Sequence, residues 1–402
     1  MHPPGAATVL VRYGGDIHTK SAAVRHRMEE RLAENVAAHL DARGLDGEVE
    51  TRWSRPRVHT TESQVEAVAD AAAEAFGVVS TSPVLRVDSA RAAIEDALAR
   101  TAREHYDGGT FAVDARRATD DLPFTSEDAE RFGGTAVWEA VEGEFDPEVD
   151  LDDPDRTFAV EIREEGTFVS VDAVEGPGGL PLGSQGRLVA LVSGGIDSPV
   201  AAYEVMRRGS PVVPVYLDLG DYGGPDHRAR ALESVRTLAG YAPNFETPTY
   251  VVPAGEVAAD LAETVQKGRM LVFRRFMYRV AELVAEREGA HGIVTGEAVG
   301  QKSSQTAENL GATSRATALP VHRPLLTADK QDVVERAKEV GTRSSASVPA
   351  GCNRFAPRKV ETRGRMDLLR DVEPDDLFDR AEAAVEAAEV VRPDPSEVTS
   401  RS

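Results

Sequence analysis

Along the second half of the chain, short apolar runs alternate with longer stretches in which apolar residues recur every three or four positions. Residues 188–192, 212–217, 249–253 and 291–295 have strand length and read as buried. Such runs suit strands covered on both faces, and their alternation with helical stretches predicts a doubly wound parallel sheet. The first half reads differently. A strand over residues 7–13 leads through Gly14-Gly15 to a helical pattern over 21–40, closed by Arg43-Gly44. A return strand over 49–58 and a helix over 61–75 follow. A second α/β segment starts with an extended stretch over 78–87 and a helix over 89–101, with Ser89 as its cap. It continues with a strand inside 108–117, a helix inside 125–140, and a hairpin of 157–161 with 167–172 that turns at 163–166. Residues 176–183, rich in Gly and Pro, read as a linker. From Met366 onward the chain is acidic and Ala/Glu-rich, which predicts a helix and then a disordered terminus. No internal repeat is present.

The junction at residues 188–199 carries chemistry. An apolar run stops at Ser193-Gly194-Gly195, and after Ile196-Asp197-Ser198 a helical run begins, with Pro199 suited to its first position. Two glycines let the backbone turn tightly and bring its N–H groups to an anion at the positive end of a helix dipole. This is a phosphate cradle. It lacks the Gly-Lys-Ser/Thr ending of a Walker A loop and the spacing of a dinucleotide fingerprint. It resembles the SGGxDS loop of the PP-loop ATP pyrophosphatases, which hold the β,γ-pyrophosphate of ATP and release it whole.

Composition narrows the setting. The 402 residues are enough for two or three domains, and no run of 18 apolar residues occurs. The first ten residues lack the basic and apolar regions of a signal peptide, so the expectation is a cytoplasmic protein without a membrane partner. The lone Cys352 rules out a disulfide within the chain and any cysteine-built zinc or iron–sulfur site. The net charge is −22, and only six of the 46 basic residues are lysine. Abundant acid with scarce lysine predicts a halophilic source, where concentrated salt screens the repulsion. Charge is also segregated. Residues 341–365 hold six basic side chains against Glu361, whereas 141–175 hold thirteen acids against two arginines. A basic surface therefore survives for a phosphate backbone.

Two further stretches gain meaning beside the loop. Residues 295–310 (TGEAVGQKSSQTAENL) follow a strand and suit a polar pocket floor, although alone they read as a solvated loop. In residues 322–330 (HRPLLTADK), Thr327 or Asp329 can cap a helix running to Val340. Lys330 would start that helix, a position that by itself reads as solvent-exposed.

Taken together, the ordered set resembles the tRNA uridine 4-sulfurtransferase family, ThiI. Val11-Arg12-Tyr13-Gly14 is similar to its N-terminal start, with Gly15 where the family usually has Glu. Residues 110–117, Phe124-Thr125-Ser126 and Gly133-Gly134 resemble its RNA-binding THUMP domain. The 193–198 loop, Thr295-Gly296-Glu297, Gly300-Gln301, Ser304-Gln305-Thr306, Asn309-Leu310, Arg323-Pro324-Leu325 and Asp329-Lys330 complete the match, which covers residues 8 to 362.

The resemblance implies a mixed α/β and α+β chain. Its parts would be a ferredoxin-like domain over 1–76, a THUMP domain over 77–175, the linker, a PP-loop domain (adenine nucleotide alpha hydrolase-like) over 184–390, and a disordered tail over 391–402. It implies that ATP with Mg²⁺ adenylates O4 of uridine 8 in tRNA, expelling pyrophosphate, and that sulfur then displaces AMP to give 4-thiouridine. The implied ATP site comprises Ser193, Gly194, Gly195, Ile196, Asp197, Ser198, Tyr216, Leu217, Arg274, Gly296 and Gln305. Asp197, Lys330 and Cys352 would be catalytic: Asp197 for Mg²⁺ or loop geometry, Lys330 on the α-phosphate, and Cys352 as sulfur carrier. No protein-built metal site is implied. Neighbouring Arg354, Arg358 and Lys359 favour the reactive thiolate of Cys352. The same three, with Arg116, Arg117 and Phe124, are the candidate RNA contacts. The expected partners are tRNA and a sulfur donor, either sulfide or a persulfide carrier such as a cysteine desulfurase; homodimerisation is carried over from the family.

The departures from the family are the absence of a rhodanese segment in these residues and of the extra cysteines that hold a cluster in some relatives. Sulfur would come from sulfide, from a partner, or through Cys352 with an external reductant. A role in thiamine thiazole synthesis, tied in some members to the rhodanese domain, weighs little. The alternatives are 2-thiolation of a tRNA base, whose enzymes typically carry Cys-x-x-Cys pairs, and an RNA-binding module with a structural ATP site.

Overall fold

The computed structural model describes residues 1–51, 55–119, 122–342, 355–357 and 361–393. The chain divides into two compact units, residues 1–181 and 182–402.

The first unit runs β1 (Thr8–Tyr13), α1 (Gly15–His18), α2 (Ala22–Asp41), β2 (Glu48–Glu50), β3 (Arg57–His59), α3 (Val65–Ala73) and β4 (Val78–Val87). It continues with α4 (Arg91–His105), β5 (Thr110–Arg117), α5 (Ser126–Val141), β6 (Glu148–Val149), β7 (Arg156–Arg163), β8 (Gly166–Ser170) and β9 (Val174–Glu175). Its sheet has the order β2-β3-β1-β4-β8-β7-β5-β6, with β9 paired to β4. Alternate residues of β1 and β4 meet the apolar faces of α2 and α3, where Val9, Val11, Leu32, Val36 and Val68 are fully buried. A second cluster joins Phe111 of β5 and Phe158 of β7 to Ile94 and Leu98 of α4. Each such side chain contributes about 1.5–3 kcal/mol on leaving water. Thr125 and Asp128 form a reciprocal capping box at the start of α5.

Two expectations here change. The return strand over 49–58 is instead two short strands, β2 and β3, paired antiparallel with Val49 opposite Val58. Pro56 has no N–H for a ladder; it sits just before β3 and accepts from the Val11 N–H through its carbonyl, 3.0 Å away. Ser89 does not cap α4. Its hydroxyl bonds to that of Thr167 at 3.0 Å, and Ala90 takes the cap position.

The second unit runs β10 (Leu188–Val192), α6 (Asp197–Arg207), β11 (Val212–Asp218), a 3₁₀ turn (Gly220–Tyr222), α7 (Pro225–Gly240), β12 (Thr249–Pro253), α8 (Gly255–Thr264) and α9 (Arg269–Glu288). After these come β13 (Ile293–Val294), α10 (Ala307–Ser314), β14 (Val321–His322), α11 (Lys330–Glu339), α12 (Met366–Val372), α13 (Leu377–Glu386) and β15 (Glu389–Val391). The sheet order is β14-β13-β10-β11-β12-β15. Every pair is parallel except β12 with β15. All five residues of β10 are buried, as the unbroken apolar run predicts. β15 corrects the purely helical tail: Val390 lies opposite Tyr250 and closes an edge of the sheet. Pro199 is the third residue of α6 rather than its first, still within the turn whose N–H groups lack helical partners. No helix among the described residues is long and apolar enough to cross a membrane.

Candidate active site

The carboxyl ends of β10 and β11 open onto one cleft, where a doubly wound sheet places its ligands. The 193–198 loop forms one wall. Ser198 Oγ accepts the Ser193 N–H at 2.9 Å, and Ser193 Oγ accepts that of Gly195 at 3.3 Å, so the two hydroxyls hold the turn. A Cβ on Gly194 would lie 2.9 Å from the His227 carbonyl oxygen, and one on Gly296 would lie 2.6 Å from the Asp197 carbonyl carbon. These two glycines let the backbone strands of the cleft close together. At Gly195 the nearest atom to an added Cβ is Ser193 Oγ at 3.5 Å, which leaves space over the loop for an anion.

Asp197 opens α6 and faces that space. Lys330 Nζ, from the first residue of α11, donates to its Oδ1 at 2.6 Å, and Gln301 Nε2 donates to its Oδ2 at 3.3 Å. Two of the expected catalytic side chains, 133 residues apart in sequence, thus meet. The Lys330 side chain is half exposed, so its ion pair is weak and open to exchange with a ligand. Asp329 occupies the cap position of α11 without a side-chain cap bond.

The cleft floor is a buried charge network. Glu297 pairs with Arg274 Nε at 2.8 Å through Oε1 and with Arg323 Nε at 2.9 Å through Oε2. Tyr278 Oη and Thr295 Oγ1 also donate to Oε2, at 2.5 and 3.1 Å. Burial pushes the Glu297 carboxyl up, yet the Arg274 and Arg323 guanidiniums and the Tyr278 hydroxyl outweigh it and hold the acid below its ordinary value. Burial, with the adjacent carboxylate, drives Tyr278 well above the usual phenol range. Arg274 Nη1 donates to the Ser304 carbonyl at 3.1 Å. Gln305 Oε1 is buried with no hydrogen-bond partner among the described residues, an acceptor facing the cleft.

Of the expected ATP residues, Ser193, Gly194, Gly195, Asp197, Ser198, Tyr216, Leu217, Arg274, Gly296 and Gln305 line a single cavity of about 240 Å³. Ile196 is the cap residue of α6 and is not among its lining residues. Sequence reasoning gave α9 little part, yet Met270, Phe273, Arg274, Met277 and Tyr278 all line the cavity. Their spacing of three, four, seven and eight residues is one helix face, and that periodicity was the available signal. Phe355, beside the segment that carries Cys352, is buried with its ring 5.0 Å from that of Phe273, and Arg269 Nη1 donates to its carbonyl at 3.1 Å.

The other expected sites fall elsewhere. Cys352, Arg354, Arg358 and Lys359 lie outside the described residues. In the first unit, Arg116 is exposed and pairs with Asp114 at 3.1 Å. Arg117 Nη1 donates to the Phe124 carbonyl at 2.5 Å, and the Phe124 ring meets Phe132 edge-on. Arg117 and Phe124 thus meet where β5 ends and α5 begins, whereas Arg116, the neighbouring strand residue, turns with Asp114 to the other face of β5.

Comparison with known proteins agrees with this geometry. Residues 183–375 match the family described as thiamine biosynthesis protein (ThiI), 91–172 the THUMP domain, and 8–82 the ThiI ferredoxin-like domain. A protein of Halobacterium salinarum named probable tRNA sulfurtransferase is 58% identical over 384 residues, covering 95% of this chain and 97% of its own. Its Methanosarcina acetivorans counterpart, of the same name, is 40% identical over 366 residues, 90% of this chain and 87% of its own. A crystal structure described as a 4-thiouridine synthetase–RNA complex with bound ATP superimposes with a TM-score of 0.84 at 27% identity, covering 97% of this chain and all of that one. The Halobacterium relative fits the acidic, lysine-poor composition. The chain belongs to the ThiI family of tRNA sulfurtransferases.

Proposed function

We propose that this ThiI-family chain converts uridine 8 of tRNA to 4-thiouridine by adenylating O4 with ATP and replacing AMP with sulfur. The supporting observation is the meeting of Asp197 and Lys330 at the glycine loop, Asp197 itself lining the cavity that Arg274 and Gln305 also line. Backbone N–H groups of the loop and the α6 dipole would hold the β,γ-pyrophosphate. Lys330 would leave Asp197 for the α-phosphate and offset charge that develops as O4 attacks and pyrophosphate departs. The carbonyl oxygen becomes part of a phosphate ester whose leaving group is AMP. Hydrosulfide then adds at C4, the C–O bond to AMP breaks with its electron pair, and loss of the sulfur-bound proton leaves C=S.

Among the described residues no group of three or more His, Cys, Asp or Glu is placed to hold a metal. One carboxylate beside a phosphate cradle still suits Mg²⁺, which is usually carried by one or two carboxylates plus substrate phosphates. Asp197 would be that carboxylate, and the ion would supply charge neutralisation at the phosphates. Cys352 precedes by three residues Phe355, which packs on the cleft residue Phe273; it is our candidate for receiving sulfur from a donor. Arg116, Arg117 and Phe124 in the THUMP part, with Arg354, Arg358 and Lys359, are our candidates for tRNA contact.

The test is tRNA incubated in high salt with the enzyme, ATP, Mg²⁺ and sulfide, followed by the near-ultraviolet absorbance of 4-thiouridine. Asp197→Ala should lower product formation by about a hundredfold or more, the scale of losing one electrostatic stabiliser of the reacting phosphates, here the Mg²⁺ that Asp197 would hold. Absence of product from the unaltered protein with sulfide and with a persulfide donor rejects the proposal. Full activity of Cys352→Ser with sulfide removes only the carrier role.

A further inference from the structure

We infer that Glu297 is a positioning residue for the nucleotide: it fixes the Arg274 guanidinium against the cleft, and ATP affinity depends on it through Arg274. This rests on reading the cleft as an ATP site.

The geometry divides the carboxylate between two tasks. Oε2 is saturated by Arg323, Tyr278 and Thr295, and Arg323 also donates through Nη2 to the hydroxyls of Tyr278 and Ser314 at 3.1 and 2.8 Å. That half is an anchor, closed on every side. Oε1 meets Arg274 Nε. Arg274 Nε faces Oε1 as a 2.8 Å ion pair rather than a hydrogen bond, since Oε1 has no hydrogen-bond partner among the described residues, and Nη1 donates to the Ser304 carbonyl; one charge contact and one hydrogen bond thus hold the guanidinium. Nη2 has no hydrogen-bond partner among the described residues, and Arg274 lines the cavity. A free arginine on a helix surface samples many rotamers, and fixing it in advance removes that cost from binding. Glu297 is itself nine-tenths buried, so it cannot trade Arg274 for water without a large desolvation penalty.

The charge balance gives the inference a sign that simple electrostatics does not share. A buried carboxylate on the wall of a site for a polyanion repels it through space. Arg323 and Arg274 offset that charge and leave the cluster at +1. Removing the negative charge should therefore tighten ATP binding if only the field matters. It should weaken binding if Glu297 acts by holding Arg274.

The experiment is calorimetric titration of the full chain with ATP in high salt, using the unaltered protein, Glu297→Gln, Arg274→Met and the double variant. We expect Glu297→Gln to bind ATP about tenfold more weakly, and the double variant to bind no more weakly than Arg274→Met alone. Such non-additivity is the signature of one group acting through another. Should Glu297→Gln not fold, Tyr278→Phe keeps the carboxylate and removes only the hydroxyl that donates to its Oε2 and accepts from Arg323 Nη2. It should weaken binding two- to fivefold, and that loss should vanish in the Arg274→Met background. Tighter binding by Glu297→Gln overturns the inference, as do losses that multiply in the double variant or unchanged affinity in both Glu297→Gln and Tyr278→Phe. If the unaltered protein does not bind ATP, the site reading fails first, an outcome distinct from these.

Discussion

Glu161 in the first unit and Glu297 in the second are both buried carboxylates gripped by two arginines, yet their surroundings assign them different work. Glu161 of β7 accepts from Arg12 Nε of β1 at 2.6 Å and from Arg163 Nη2 at 2.7 Å. Arg12 Nη1 also reaches Ser82 of β4 at 2.9 Å. In the sheet order, β4 and β8 lie between β1 and β7, so this cluster ties three strands together and reaches across the fourth. Glu297 instead sits at the foot of a cavity, and one of its arginines lines that cavity. The same three residue types thus make a brace where these bonds of Arg12 and Arg163 run to strand residues, and a presenting device where one guanidinium is left facing a ligand space. The grouping of charges does not decide the role; what the outermost donor faces does.

The largest effect expected of this contrast is on stability, and it should be shared. Glu161→Gln or Glu297→Gln leaves two partly buried guanidiniums without their counter-charge, a loss of up to about 3–5 kcal/mol, the scale of breaking a fully buried pair. The units can be watched separately, because both tryptophans, Trp53 and Trp138, belong to the first. Urea unfolding followed by tryptophan fluorescence should shift for Glu161→Gln and stay in place for Glu297→Gln, while far-ultraviolet circular dichroism registers both. A fluorescence shift of equal size in Glu297→Gln would break the comparison.

Next in size is the effect on ligand, which should not be shared. Arg274→Met is expected to cost about tenfold in ATP affinity, near 1.4 kcal/mol. Arg12→Met should lower the fluorescence-detected unfolding midpoint and leave ATP affinity within twofold. A comparable loss of ATP binding in Arg12→Met would show that the brace also serves the nucleotide, and the distinction would fall.

The contrast also explains which parts of this molecule could be read from sequence. β10 was legible to the residue because a strand covered on both faces has to be apolar throughout, and the glycines after it have few other uses. Lys330 and Asp197 were each named beforehand, but their meeting depends on α11 returning to α6, a tertiary fact that spacing does not contain. The face of α9 was hidden for another reason. In Met270, Phe273, Met277 and Tyr278 the cavity lining has the composition of a core, and a helix that lines an apolar pocket reads the same as one that packs on a sheet. The brace around Glu161 was invisible, since its members sit on strands far apart in sequence. β2 and β3 were fused into one strand for want of weight given to Pro56.

The smallest expected effect is on acid stability, and its sign follows from the two carboxyls. Burial raises both, but Arg12 and Arg163 outweigh it at Glu161, and Arg274, Tyr278 and Arg323 outweigh it at Glu297; both acids are held below the ordinary 4.5. A group whose pKa is depressed by folding contributes stability that is fully present above its unfolded value and is lost as pH falls through its folded one. The fluorescence-detected urea midpoint of the unaltered protein should therefore hold from neutral pH to about 4.5, the ordinary carboxyl value, and fall below it. In Glu161→Gln the midpoint should start lower and fall less on acidification, so that the two curves approach each other in acid. The approach should survive concentrated salt, because charges this deeply buried are screened far less than those on the surface. A gap between the curves that stays constant down to the lowest pH would mean that Glu161 stabilises the sheet by packing rather than by charge, and the likeness to Glu297 would be one of shape alone.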